Sequence, residues 1–336
     1  MPKTTKSSIL KKSIRENVYN NLKKNSEFSM TVGALYKGKA VFNESYGKTY
    51  KYYDLASMTK AIFFGTYFYN NPELLNTKVS AVLPWLYMSN IKVKDLLNHN
   101  SGLDRYKELY KVLKKLPLDE RSWELKRVLR DEVKGVKKGK KHEIAYSDLG
   151  FLVLGLFVEE LEGQPLDEIF ETQNKIEGFH YNILNKPKYK KSLYAPTEVC
   201  GWRKRALQGE VFDDNTHVMG GIAPQAGLFG SLENMFEYGK SLREQYKKNP
   251  SYFKKVNKEW ANGFMVPSGS ATTAGALFSK ESIGHLGYTG TSFWFDPVKD
   301  LFVVILSNRT FPNRADNSFN KYRPIIQNLV YKEFVK

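Results

Sequence analysis

The sequence predicts an α/β (α+β) fold. One antiparallel sheet is built from both ends of the chain and flanked by terminal helices, and a helical domain is inserted between those ends. Three observations carry this expectation. Runs rich in β-branched and aromatic residues, bounded by turn residues, occur near 29–42 and again toward the C-terminus. The region between them has mostly helical periodicity. Apolar residues at helical spacing open and close the chain. The expected division is 1–56 plus 232–336 for the sheet domain and 57–231 for the helical insert, with a site between them.

Leu10, Ile14, Val18 and Leu22 recur every four residues and predict an amphipathic helix. Ser29–Tyr36 and Lys39–Phe42 surround Lys37-Gly38 and predict a hairpin. Met58 to Tyr69 is apolar nearly all round, as in a buried helix. Loops are expected near Asn100-Ser101-Gly102 and over Lys137 to Glu143. Phe151 to Leu161 predicts a second apolar helix, ended by Gly163 and Pro165. Ser231 can cap a helix running to about Tyr246. Strands are expected at Asn262–Val266, Ile283–Gly287, Ser292–Phe295 and Phe302–Leu306, with a turn from Asp296 to Asp300. Ile325, Ile326, Leu329, Val330 and Phe334 should line one face of a closing helix.

Composition narrows the function. Of 336 residues, 41% are apolar and 14% aromatic, which excludes a disordered chain. The single cysteine, Cys200, excludes an intrachain disulfide and a cysteine zinc cage. No HExxH pair and no long apolar run is present, so neither a zincin nor a transmembrane helix is expected. No apolar leader follows Met1, so the expected location is the cytoplasm, or the periplasm or exterior if a leader precedes this numbering. The net charge of +17 favours anionic partners. Because the lysines are dispersed, the simpler reading is a solubilising surface. The basic run around Lys137–Lys141 is no phosphate loop: three residues separate Gly135 from Gly139, and Lys141 stands where Ser or Thr would hold the metal.

Three short motifs carry chemistry. Ser57-Met58-Thr59-Lys60 places a serine and a lysine three residues apart, on one face at a helix start. A serine nucleophile needs a nearby base, and burial or neighbouring cations can depress a lysine enough to serve. Tyr146-Ser147-Asp148 aims a phenol and a carboxylate the same way if extended; Asp148 alone would pass for a helix cap. Gly284-His285-Leu286-Gly287-Tyr288-Thr289-Gly290 reads as a strand and turn along which a substrate backbone can lie.

In this order the motifs resemble those of the serine β-lactamase and penicillin-binding-protein superfamily, and most closely the branch of class C β-lactamases, DD-peptidases and esterases. Leu96–Leu103, with His99 and Ser101-Gly102, is similar to that branch's LLxHxSGL segment. The glycine-rich stretch from Gly220 to Ser231 and the run from Gly290 to Pro297 also match. The resemblance implies a β-lactamase/transpeptidase-like fold and an acyl-enzyme at Ser57. Lys60 and Tyr146 would move the proton, and the backbone N–H groups of Ser57 and Tyr288 would form the oxyanion hole. Asp148, His285, Gly287 and Thr289 would contact substrate. No cofactor or metal is implied. The implied partner is a small ester or peptide, including cell-wall-derived ones, and no specific nucleic acid is expected.

Two departures bear on substrate. Asp148 stands where β-lactamases carry Asn, and His285-Leu286-Gly287 where they carry Lys-Thr-Gly. An imidazole and a leucine offer little to a carboxylate, and Asp148 repels one. If Leu286 points away, Thr289, Thr291 or Ser292 remain to supply a hydroxyl. The expected substrate is therefore an ester or a D-amino-acid amide or peptide, with neutral esters cleaved faster than a β-lactam. The alternatives are a class C-like β-lactamase and, from another class, a non-catalytic protein binding cell-wall peptide or nucleic acid. The latter is disfavoured because Ser57, Lys60 and Tyr146 are all present and no nucleic-acid-binding module is.

Overall fold

The computed structural model describes residues 6–22, 25–86, 90–136, 143–184, 186–269 and 272–335. Both chain ends meet in one seven-stranded sheet. In spatial order its strands are Lys39–Gly47, Ser29–Tyr36, Leu301–Ser307, Ser292–Asp296, Ile283–Leu286, Phe264–Met265 and Trp260–Ala261, all antiparallel. The first hairpin turns through Lys37 and Gly38 at φ 52° and 75°, the left-handed pair that fits strand twist. The expected loop over Lys137 to Glu143 lies outside the described residues as far as 142.

Alternation along the strands sorts the core. Leu301, Val303 and Ile305 face the terminal helices Lys6–Asn17 and Arg323–Phe334 through Leu10, Ile14, Ile326 and Val330. Phe302, Val304 and Leu306 face the opposite cluster, which includes Leu232, Met235 and Leu242 of the helix Leu232–Lys248. Because both faces are covered, the last strand is buried throughout and apolar from Leu301 to Leu306. Gly33 permits this close packing: a Cβ there would come within 2.5 Å of Leu232.

The expected caps are present. The Ser231 hydroxyl accepts from the Asn234 N–H, and Gly163 ends the helix Asp148–Glu162 at φ 66°. Three details differ from the sequence reading. The strand expected at 262–266 is a hairpin turning at Asn262-Gly263, because both residues adopt positive φ. Ile325 is exposed, and Arg323 and Gln327 join the buried face of the closing helix. Short strands also occur outside the seven-stranded sheet. Tyr53–Asp54 and His180–Tyr181 flank Leu228–Gly230, and Glu198–Cys200 pairs with Arg205–Leu207. These strands are too short to show a period.

Candidate active site

Ser57 follows a tight turn that leaves the strand Tyr53–Asp54 and starts the helix behind it. Asp54 holds this turn. One of its carboxylate oxygens accepts the Ala56 N–H at 2.8 Å, with Ala56 at φ 48°, and the other accepts the Phe212 N–H at 2.7 Å. Burial pushes Asp54 up to about 6, against the pull of those two amides. The helix has a wide π-helical stretch over Lys60–Gly65, where all six residues are buried.

Lys60 is buried completely. Its Nζ donates to Ser57 Oγ at 3.1 Å and to the Gln225 carbonyl at 2.8 Å. Asp148 Oδ1 lies 2.8 Å away, and the Tyr146 ring centroid 4.9 Å. The surroundings do not depress this lysine. Burial alone pulls it down, but the Asp148 carboxylate and then Tyr146 outweigh burial and hold Lys60 above its ordinary value, as an ammonium. The Tyr146 phenol is pushed up, chiefly by burial, although interactions with Lys60 and Ser57 pull it back. Tyr146 therefore rests as a neutral phenol.

The Tyr-Ser-Asp segment is clamped from several sides. Ser147, rather than Asp148, caps the helix, because its hydroxyl accepts the Gly150 N–H while donating to the Asp104 carbonyl. The Ser147 N–H donates to His99 Nδ1 at 2.9 Å, which makes that nitrogen the imidazole's acceptor. Burial, then the nearby Lys60 charge, hold His99 far below its ordinary value and so neutral. His99 also packs against Tyr146 and Trp260, at centroid distances of 4.5 and 4.2 Å.

The third motif closes the opposite wall. His285 Nδ1 donates to the Leu286 carbonyl at 2.9 Å, which leaves Nε2 unpartnered among the described residues. Burial, then Lys60, pull His285 down to about 3. Gly287 has no room for a side chain: a Cβ would come within 2.0 Å of Thr291 Oγ1 and 2.6 Å of the Leu55 carbonyl. Tyr288 is half exposed and stacks on Phe212. Leu286 is among the residues that line the cavity. Thr289 and Thr291 do not line it. Their hydroxyls donate to the Asp54 and Leu55 carbonyls at 2.7 and 3.2 Å, and Ser292 is buried too. The expectation that Thr289 contacts substrate is therefore corrected. Both threonines lie in the turn between the strands Ile283–Leu286 and Ser292–Asp296, and their hydroxyls tie the Tyr288 turn to the Ser57 turn.

These groups line a cavity of about 760 Å³, whose wall includes Ser57, Tyr146, Asp148, His285, Gly287 and Tyr288. A larger groove of about 1050 Å³, lined by Tyr50, Tyr52 and Tyr189 among others, contains none of them. Sequence reasoning missed Gln225, Trp260 and the arginines Arg309 and Arg323 of the cavity wall. The glycine-rich stretch around Gln225 was a usable signal. So was an arginine two residues beyond a largely apolar strand, at Arg309. Among the described residues no cluster of three or more metal-ligating side chains is present, and no helix is long and apolar enough to cross a membrane.

The family model described as Beta-lactamase matches residues 14–323. The chain belongs to the β-lactamase family. It is 29% identical over 312 residues to the N-acetylmuramyl-L-alanine amidase of Bacillus subtilis, covering 78% of this chain and 69% of that protein. It is 28% identical over 264 residues to a putative D-alanyl-D-alanine carboxypeptidase of Escherichia coli, covering 69% of this chain and 60% of the relative. Thus the chain spans less than two thirds of the second relative's length. A solved class C β-lactamase superposes with a TM-score of 0.70 at 16% identity, covering 98% of this chain and 97% of that one. The fold of this β-lactamase-family chain is therefore the β-lactamase/transpeptidase-like one expected from its motifs.

Proposed function

We propose that the protein is a serine acyl hydrolase that forms an acyl-enzyme at Ser57 from an ester or a D-amino-acid amide or peptide, cell-wall-derived peptides included. One observation carries the reading: a completely buried lysine whose Nζ lies 3.1 Å from the hydroxyl of a partly exposed serine at a cavity floor. A lysine in that position is costly to bury unless its charge is used or matched. The two relatives named above, an amidase and a putative carboxypeptidase, support a peptide-like substrate. We assign the sheet half to 1–56 plus 232–336 and the helical half to 57–231.

The protonation states suggest how the proton moves. As Ser57 Oγ attacks the acyl carbon, its proton passes to Tyr146 Oη, and Tyr146 gives its own proton to the leaving group. A neutral phenol can do both without ionising at rest. The Lys60 ammonium stabilises negative charge on both oxygens as it develops. Among the described residues the backbone N–H groups of Ser57 and Tyr288 donate no protein hydrogen bond, which suits them to the acyl oxygen. Water attack on the acyl-serine runs the same relay in reverse.

The test is intact and peptide mass spectrometry after incubation with a fluorophosphonate, a penicillin and short-chain esters. The expected adduct is on Ser57 and is lost in Ser57→Ala, with the fold retained. Labelling that persists on another serine overturns the reading.

A further inference from the structure

Asp54 is a buried carboxylate, 2% exposed, that the proton relay does not use. Among the described residues no side chain donates to it; both of its oxygens are held by backbone N–H groups. Oδ1 accepts at 2.8 Å from Ala56, the residue before Ser57, and Oδ2 accepts at 2.7 Å from Phe212, 158 residues further along the chain. Ala56 is not a glycine, yet it sits at φ 48°, a conformation that an L residue keeps only where its neighbours impose it. The bond from its N–H to the carboxylate two residues back closes this turn in the manner of an Asx-turn.

The same residue reaches the other side of the site. Its backbone carbonyl accepts the Thr289 hydroxyl at 2.7 Å, next to Tyr288. Phe212, held by Oδ2, stacks on the Tyr288 ring at a centroid distance of 5.5 Å. Asp54 thus bears on the Ser57 turn directly and on the Tyr288 turn by two routes. A proton on either carboxylate oxygen weakens that oxygen as an acceptor for the N–H it holds. Few charges face Asp54. Asp213, beside Phe212, raises it, and Arg203 lowers it, both more weakly than burial and the two amides. The Arg203 guanidinium is already taken by the Val211 and Phe212 carbonyls and by Asp214. Lys60 of the following helix pairs with Asp148. The paired strand Leu228–Gly230 and the turn Thr289–Thr291 bring no ionisable side chain.

We propose that Asp54 is a positioning residue of this site: as a carboxylate it fixes the Ser57 N–H and, through Thr289 and Phe212, the Tyr288 N–H, and its protonation releases both. The inference rests on the acyl-enzyme reading of the same cavity. Burial lifts Asp54 to about 6, so the release falls just below neutral pH, where an imidazole would ordinarily titrate. The described histidines do not supply that limb. Burial first of all holds His99 far down, His285 at about 3, and His180 and His217 at about 4. Lys60 and Tyr146 are displaced upward, away from it. The competing group is Asp213 in the cavity wall, which burial and then Asp148 raise. Protonation of Asp54 does not work by unfolding the chain. Its folded value lies above the unfolded value of about 3.9, so its contribution to stability grows as pH falls from about 6.

The experiment measures the second-order rate of Ser57 labelling by a neutral fluorophosphonate from pH 5 to pH 8 on the full chain, with near-ultraviolet circular dichroism on the same samples. The rate should be level above about pH 7 and about tenfold lower at pH 5, as one ionisation at about 6 requires, with the fold retained. Asp54→Asn keeps one acceptor and sets an amide donor against the other backbone N–H. Its rate at pH 8 should fall by about 10–100-fold and its profile should flatten. Asp213→Asn should keep the bend. A flat profile in the unmodified protein overturns the proposal and requires no variant, and so does a fall in rate that follows loss of the fold. A bend that survives in Asp54→Asn, or that vanishes in Asp213→Asn, gives the limb to another group and overturns it as well. Should Asp54→Asn fail to fold, the Asp213→Asn profile decides between the two aspartates. Absence of label at every pH refutes the acyl-enzyme reading itself and takes this inference with it, whereas labelling without the bend refutes this inference alone.

Discussion

Asp148→Asn removes the anion that matches the buried Lys60 charge. The pair is 2.8 Å apart, with Lys60 wholly buried and the Asp148 side chain 19% exposed. Removing one partner of a buried pair costs about 3–5 kcal/mol. The partial exposure of Asp148, and the contacts that Lys60 keeps with Gln225 and Ser57, place the cost near the lower end, at about 3 kcal/mol at neutral pH. The sign of the pH dependence reverses as well. In the unmodified protein Lys60 is raised, so its contribution is fully present below the unfolded lysine value of about 10.4 and is lost as pH rises through the folded value. In the variant burial dominates and Lys60 is depressed. The fold then favours the neutral amine, and stability rises as pH climbs toward about 10.4. Urea denaturation of both proteins at pH 7 and pH 10 measures the difference. The gap should be about 3 kcal/mol at pH 7 and should narrow at pH 10. A gap below about 1 kcal/mol at pH 7, in the range of an exposed pair, would refute the reasoning, as would a gap that does not change with pH.

Lys60→Met and Tyr146→Phe should each slow turnover of an ester substrate by about 10²–10⁴-fold, and near-normal rates in both would remove them from the proton relay. His285 titrates at about 3 when folded, against about 6.5 unfolded, so stability is full above about pH 6.5 and falls as pH drops toward 3. Replacing His285 by Asn should flatten that part of the stability profile in chemical denaturation, and an unchanged profile would show that His285 does not cause it.

Much of the site was legible because its parts are local. Ser57 and Lys60 meet because three residues in a helix share a face, and that spacing is written in the sequence. Tyr146 and Asp148 flank an extended Ser147 and so converge on Lys60. The sheet was legible for a related reason. The strand Leu301–Ser307 and the hairpin at Lys37-Gly38 declare themselves through β-rich composition and turn chemistry. What eluded the sequence depends on neighbours that are distant along the chain. A short strand such as His180–Tyr181 exists because Leu228–Gly230 lies beside it.

By itself, then, the sequence determined the ends-together sheet, the order of the motifs, and the serine and lysine that share a helix face. Tertiary structure alone decided what those groups are electrically. Whether Lys60 is a base or an ammonium depends on burial set against an anion 88 residues away, a balance that no local pattern encodes. Likewise, only the folded turn between Ile283–Leu286 and Ser292–Asp296 brings the Thr289 and Thr291 hydroxyls onto the Ser57 turn. The same packing carries Arg309 and Arg323 to the Tyr288 turn on the cavity wall.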